Sequence, residues 1–462
     1  MASEGGGRSS HGHVIPDRSS AGSAEQWGSK FDGLLGSWEA LAIEDREVAT
    51  VISREVQRER RTVRLVASEN YASPAVLAAS STTLTNKYAN GYPGRRKYPG
   101  CKWADEIELL AIARAKAAFG GDHVNVQPHS GSQANLAAYL AILSPGDTLL
   151  TLHPDHGGHF THGRSDNFSS VFFRVEHFTT DPISQLIDLA QVKAIAQKVR
   201  PAAIVVGSTS YPRSLDFEAF AAIARDVGAK LIVDAAHVIG LVAGGVHPDP
   251  VGVADVVTFT THKTLRGPRG GAIICRAELA DRVDAAVFPL VQGGPNLGSI
   301  AAKAVAFREA LEPSFSSYAR RAVSLAAALA SVLSDNGLRV LTGGTDTHIV
   351  LVDVTGLGIT GQRAEAALAR AGILANRCRI PFDPLEDGES GIRFGTAALA
   401  TLGLTAEEMA NFGNALVEIL RGSHAESENH KTATLVASLC ERLAPYADPF
   451  EGRSPNRGVV NA

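Results

Sequence analysis

A chain of 462 residues that is 45% hydrophobic and only 20% charged is long enough for more than one core, because single cores stop growing at about 250 residues. Its 48 acidic and 44 basic side chains are spread along the chain, which leaves no electrostatic footprint for nucleic acid and points to a small-molecule partner. The four cysteines, Cys101, Cys275, Cys378 and Cys440, lie far apart without metal-ligand spacing, so reduced thiols in a cytoplasmic protein and no metal site are expected.

The first thirty residues lack the apolar core of a signal peptide, and no later window offers the apolar run of a membrane span. Residues 1–44 therefore read as a disordered arm, with no membrane partner. From Asp45 a helical pattern with Val48, Ile52 and Val56 on one face predicts an amphipathic helix ending near Arg61, within an entry segment over 45–64.

Over 65–312, apolar runs alternate with helical patterns: TLLTL (148–152), AAIVVG (202–207), KLIVDAAH (230–237), VVTFTTHK (256–263) and GAIIC (271–275). Runs that are apolar throughout fit strands buried on both faces of a mainly parallel sheet, so this is read as a large α/β domain. After the helical IAAKAVAFREALE (300–312), a smaller α+β domain is expected over 313–448. Its first helix is closed by Gly337, and HIVLVDV, ILANRCRI and GIRFGT are its strand candidates. A last helix places Leu435, Val436, Leu439 and Leu443 on one face, and 449–462 reads as a polar tail.

Three stretches carry chemistry. In FTTHKTLRGPRGG (259–271), Lys263 follows a buried strand and meets a glycine-rich turn beside Arg266 and Arg269. A partly desolvated lysine among cations has a lowered pKa and can form a Schiff base; the blander reading is a surface lysine at a strand end. In HSGSQAN (129–135), Ser130, Gly131 and Ser132 precede a helix and suit a phosphate, although such a sequence is often only an N-cap. In VDAAHVIGL (233–241), Asp234 closes an apolar strand, where a carboxylate needs a positive partner, and His237 follows. A pyridinium nitrogen would be such a partner, so lysine, phosphate cradle and aspartate together point to pyridoxal 5′-phosphate.

Read in order, LVASENY (65–71), TNKY (85–88), GYPG (91–94), NVQPHSGSQAN (125–135), HGGHFTHG (156–163), VDAAH, TTHKTLRGPRGG, FPLVQGGP and SGIRFGT resemble the serine hydroxymethyltransferase family from about Arg46 to Tyr446. The resemblance implies a fold-type I pyridoxal-phosphate enzyme: a large domain with a mainly parallel seven-stranded sheet, a smaller α+β domain, and a homodimer or dimer of dimers with shared active sites. It implies that Lys263 carries the cofactor, that Asp234 pairs with the pyridine nitrogen and that His156 stacks on the ring. By the same likeness His237 lies beside the 3-hydroxyl, with Thr209, Thr260 and His262 nearby. Ser130, Gly131 and Ser132 would hold the phosphate with Gly293 and Gly294 of a neighbouring subunit. Arg393 and Ser68 would grip a substrate carboxylate, and Tyr88 and Tyr98 would serve the chemistry from the loop NKYANGYPGRRKYPG (86–100).

That loop departs from the family pattern NKYAEGYPG(K/R)RYYGG. Asn90 stands where the family has an acid/base glutamate, and an amide cannot relay a proton at neutral pH. Lys97 replaces a tyrosine that packs on folate, and Pro99 replaces a glycine. Cys378 and Phe382 in NRCRIPFDP replace asparagines, and Ala397 replaces a proline. With the cofactor side kept and the folate side changed, the first expectation is a folate-independent transaldolase. It would move the glycine unit of L-threonine or L-serine to another aldehyde, a nucleoside 5′-aldehyde or a small one, with Asn90 and Lys97 among the substrate-binding residues. The alternative is a tetrahydrofolate-dependent serine or methylserine hydroxymethyltransferase, and a third reading is a catalytically silent binding subunit.

Overall fold

Ala203–Gly207, Lys230–Asp234 and Val256–Thr260 are rich in β-branched and aliphatic residues, which suit a pleated surface packed on both sides. In the computed structural model, which describes residues 38–383, 389–422 and 426–447, they lie side by side as β5, β6 and β7 of a seven-stranded sheet. The other strands of this sheet are β2 (His123–Asn125), β3 (Thr148–Leu152), β4 (Arg174–Phe178) and β8 (Gly271–Cys275), in the order β2-β8-β7-β6-β5-β3-β4. Pairing is parallel from β4 through β7, while β8 runs antiparallel to both its neighbours. The five apolar runs read from the sequence are strands here. The two edge strands, β2 and β4, were not foreseen: one has three residues and the other alternates exposed and half-buried positions.

A second sheet orders β12 (Asn376–Cys378), β13 (Gly391–Gly395), β10 (Ile349–Asp353) and β9 (Arg339–Val340), all antiparallel. The short β1 (Val63–Arg64) pairs in parallel with β11 (Ile373–Leu374). The architecture is thus α/β with a large mixed sheet and a smaller sheet, as the resemblance implied. Pro313–Asp335 lays Phe315, Tyr318, Ala322, Leu325, Leu329 and Leu333 along one buried face at helical spacing. Each such leucine contributes roughly 1.5–3 kcal/mol by leaving water.

By proximity the chain divides into residues 1–53 and residues 54–462, and the second unit holds all three sheets. In the first, Trp38–Glu44 is a helix of 7 residues, so the expectation of a disordered arm fails for the end of that segment. Residues 1–37 of the arm and the polar tail from 449 lie outside the described residues. The expected entry helix is present as Arg46–Arg61, but Val48 is exposed, with Ile52 and Val56 half-buried. Val436, Leu439 and Leu443 are buried along the last helix, and Leu435 is half-buried.

Candidate active site

In open α/β sheets the carboxyl ends of parallel strands leave a crevice in which helix N-termini and loop residues converge. Here β2 leads to Ser130, β3 to the histidine-rich 153–162 stretch, β5 to Thr209, β6 ends on Asp234, and β7 ends on Thr260, followed by Lys263. Ser130 is the N-cap of Gly131–Ile142, its Oγ accepting from the Gln133 amide. A Cβ on Gly131 would stand 2.5 Å from Thr260 Cγ2, and one on Gly271 2.4 Å from the Ser130 carbonyl oxygen, so glycine is needed at both positions for the helix end to approach the sheet.

Asp234 is a largely buried carboxylate held by three hydrogen bonds. Its Oδ1 accepts from the Ala236 amide, and its Oδ2 from Asn135 Nδ2 at 2.8 Å and His162 Nε2 at 3.1 Å. His162 Nδ1 accepts the His159 amide, so the His162 proton sits on Nε2 and points at Asp234. Burial alone would raise the Asp234 pKa, but the His162 hydrogen bond, the neighbouring imidazoles and the Asn135 amide outweigh it and hold the group well below the usual range. It is an anion at neutral pH. His159, His162 and Asp234 place ligand atoms within 4.8 Å of one another, yet His159 Nδ1 meets Thr161 and both His162 nitrogens are engaged, so the cluster is a hydrogen-bonded carboxylate support.

Burial lowers the Lys263 amine to about 8; Asp234 pulls the other way, and Arg393 and Arg269 lower it further. A useful fraction is then the neutral nucleophile near neutral pH. Asn70 Nδ2 donates to the Lys263 carbonyl and to Tyr318 Oη, fixing the backbone that carries the amine. His237 and His262 each have a buried Nδ1 without a partner. Thr260 Oγ1 donates to the Ala236 carbonyl, and Thr209 to that of Gly157.

Arg393 lies on β13 opposite Asn376 of β12 and Leu351 of β10. Its two terminal nitrogens donate to the Thr209 carbonyl at 2.7 Å and to Asn376 Oδ1 at 3.0 Å, while its Nε is buried and without a partner. Lys263, Arg393, Ser68, His237, Thr209 and His159 line one cavity of about 590 Å³, together with Cys378, Arg377 and Arg379. The Lys263 amine and the Arg393 guanidinium therefore line one cavity, and the Asp234 anion, outside that lining, is near enough to act on the charge of the amine.

Several residues expected at the site lie outside the lining of this cavity, among them Asp234, Ser130, Gly131, Ser132, Thr260 and His262. His156 does not line the cavity: its Nδ1 accepts the Thr180 amide, and the Phe382 ring caps it edge-on at 4.7 Å. His159, three residues on, faces the cavity, because the turns Pro154–His156 and Phe160–His162 rotate the chain between them. Tyr88, Asn90, Lys97, Tyr98, Gly293 and Gly294 do not line the cavity either. They gather elsewhere: the Tyr88 and Tyr98 rings are 4.9 Å apart, the Lys97 amide donates to the Asn90 carbonyl, and a Cβ on Gly294 would stand 3.0 Å from Asn90 Oδ1. Lys97 is exposed and Asn90 Oδ1 is buried without a partner. Asn70, Asn135, His159 and His162 were not singled out from the sequence, although each lies in a quoted motif.

The residues fit pyridoxal phosphate: an amine for its aldehyde, an anion for its ring nitrogen, and, for its polar rim, two orphaned imidazole nitrogens and a glycine-shaped helix N-terminus. With the seven-stranded sheet, they define a fold-type I pyridoxal-phosphate enzyme. The family model described as serine hydroxymethyltransferase matches residues 41–416, and the chain belongs to that family. It is 50% identical over 403 residues to a serine hydroxymethyltransferase of Coprothermobacter proteolyticus, covering 87% of this chain and 97% of that one. Proteins of the same name from Myxococcus xanthus (49% over 408 residues; 88% and 98%) and Acidobacterium capsulatum (52% over 410; 88% and 96%) are similar throughout. These names agree with the alternative drawn from the sequence better than with the transaldolase placed first. No helix among the described residues is long and apolar enough to cross a membrane.

Proposed function

We propose that the chain interconverts serine and glycine by reversible cleavage of the serine Cα–Cβ bond, with the one-carbon unit passing to tetrahydrofolate. The observation that carries this is the Arg393 guanidinium, which lines the same cavity as Lys263 and gives only one N–H from each terminal nitrogen to protein acceptors. A carboxylate gripped there fixes the substrate Cα over the site, and that orientation decides which bond breaks. Pyridoxal phosphate supplies the electron sink when bound. Lys263 would hold it through its amine, and Asp234 would keep a proton on the ring nitrogen. An imidazole of the 153–162 stretch would cover one face of the ring, and Ser130, Gly131 and Ser132 would receive the phosphate.

The loop 86–100 and Gly293–Gly294 gather away from this cavity in the single chain, and we infer that a second copy brings them to it, so the working form is at least a homodimer. Folate use is tested by following glycine formed from L-serine with and without tetrahydrofolate. Folate-dependent turnover supports the proposal, and turnover indifferent to folate sinks it.

A second reading keeps the bond cleavage and changes the acceptor. It is favoured by Asn90, whose buried side-chain oxygen has no partner and which cannot carry a proton, together with Cys378, which lines the cavity, and Phe382, which packs on His156. In that reading L-threonine gives its glycine unit to another aldehyde, and adding a small aldehyde speeds threonine consumption without folate.

A further inference from the structure

Leu297–Ala310 is a helix of alanines and aliphatic residues that carries one lysine, Lys303, only 1% exposed. A lysine is rarely so buried unless every donor is used. Its Nζ lies 2.6 Å from the Val126 carbonyl oxygen, 3.0 Å from that of Pro128 and 2.9 Å from that of Gly271. Three acceptors and three N–H groups match one to one, so the geometry selects the ammonium. Burial pulls the group down to about 7, and the Glu108 carboxylate opposes that pull.

What this tripod holds is the approach to Ser130. Gln292 Nε2 takes the Gln127 carbonyl at 3.0 Å, so the carbonyls of residues 126, 127 and 128 are all claimed by side chains from 292 and 303. The Gly271 amide donates to Pro128, and a Cβ on Gly271 would strike the Ser130 carbonyl oxygen. Gly270 leaves room for the lysine, since a Cβ there would stand 2.5 Å from Lys303 Cε. A change at the ammonium is therefore transmitted two residues along the chain to the amides and hydroxyl at the start of Gly131–Ile142.

We propose that Lys303 is a positioning residue for the phosphate end of the cofactor: its ammonium fixes 126–128 and 271 so that Ser130, Gly131 and Ser132 present their donors to the anion. This rests on reading Ser130–Ser132 as the phosphate cradle. A lysine that only filled the core would support the whole site, whereas a lysine that sets the cradle acts on the phosphate alone.

The test compares pyridoxal 5′-phosphate with pyridoxal, which has the same aldehyde and ring but no phosphate. Both are titrated by visible absorbance into the full chain stripped of cofactor, in the wild type and in Lys303→Met, Lys303→Arg, Gly270→Ala and Ser130→Ala. Lys303→Met is expected to reduce the preference for the phosphorylated compound by about tenfold or more, with pyridoxal affinity changed by less than about twofold. Lys303→Arg, which keeps a cation, should recover part of the preference, and Gly270→Ala, which displaces the lysine, should lose part of it. Weakening of both compounds in equal proportion, or an unchanged preference, overturns the proposal. If Lys303→Met does not fold, an unchanged preference in both Lys303→Arg and Gly270→Ala overturns it equally. A preference unchanged in Ser130→Ala as well as in the Lys303 variants would instead remove the cradle reading.

Discussion

Replacing Arg393 by lysine keeps the charge in the cavity and removes the planar fork. In the structure each terminal nitrogen of the guanidinium gives one N–H, to the Thr209 carbonyl or to Asn376, which fixes the plane of the fork and leaves a second N–H on each for a carboxylate. A lysine ammonium has no such tethered plane, so one charge-assisted hydrogen bond to the substrate carboxylate is lost. Such bonds contribute about 1.5–3 kcal/mol, and a loss near 2 kcal/mol weakens amino-acid binding by roughly thirtyfold. The assay is titration of the cofactor-loaded protein with glycine and L-serine, read by the change in cofactor absorbance, beside ethanolamine as an analogue without a carboxylate. Serine and glycine affinities should fall together while ethanolamine is indifferent. An unchanged glycine affinity, or an equal loss for ethanolamine, would refute the assignment of Arg393 to the carboxylate.

Because the Lys263 amine sits at about 8, its capture of added pyridoxal phosphate should rise about tenfold per pH unit below that value and level off above it. A rise continuing to pH 10 would show an unperturbed lysine. Arg393→Met removes a charge that lowers the amine, so the break should move to higher pH, whereas Arg393→Lys should leave it in place. Arg96 is 3% exposed in its side chain and binds Asp105, Glu108 and the carbonyls of Ala89 and Gly91. Arg96→Met strands the buried Glu108 and should cost about 3–5 kcal/mol in denaturant unfolding; a loss under about 0.5 kcal/mol would contradict that role. Gly131→Ala drives a methyl onto Thr260 and should weaken pyridoxal phosphate more than pyridoxal in the same absorbance titration.

The inner strands were legible because they are apolar along their whole length, which only a sheet covered on both faces demands. β2 and β4 carry no such signal, being respectively too short and half exposed. Lys263 and Asp234 could be picked out because each sets a charge against an apolar strand, whereas Arg393 came from the family resemblance. The histidines could not be ranked in that way: His153, His156, His159 and His162 recur every third residue, and two short turns decide which ring faces the cavity. Lys303 was hidden for the opposite reason, since a lone lysine in an alanine-rich helix reads as its solvent face. The loop from 86 to 100 was tied to the site by the family resemblance, and in the single chain it lies outside the lining of the cavity that holds Lys263.

The most direct measurement is glycine production from L-serine by the cofactor-loaded protein, with tetrahydrofolate present or absent and Lys263→Ala as the control. Saturable production that requires folate and vanishes in the variant is the predicted result. Production that ignores folate and rises on adding a small aldehyde would contradict the account and move the function to the transaldolase reading.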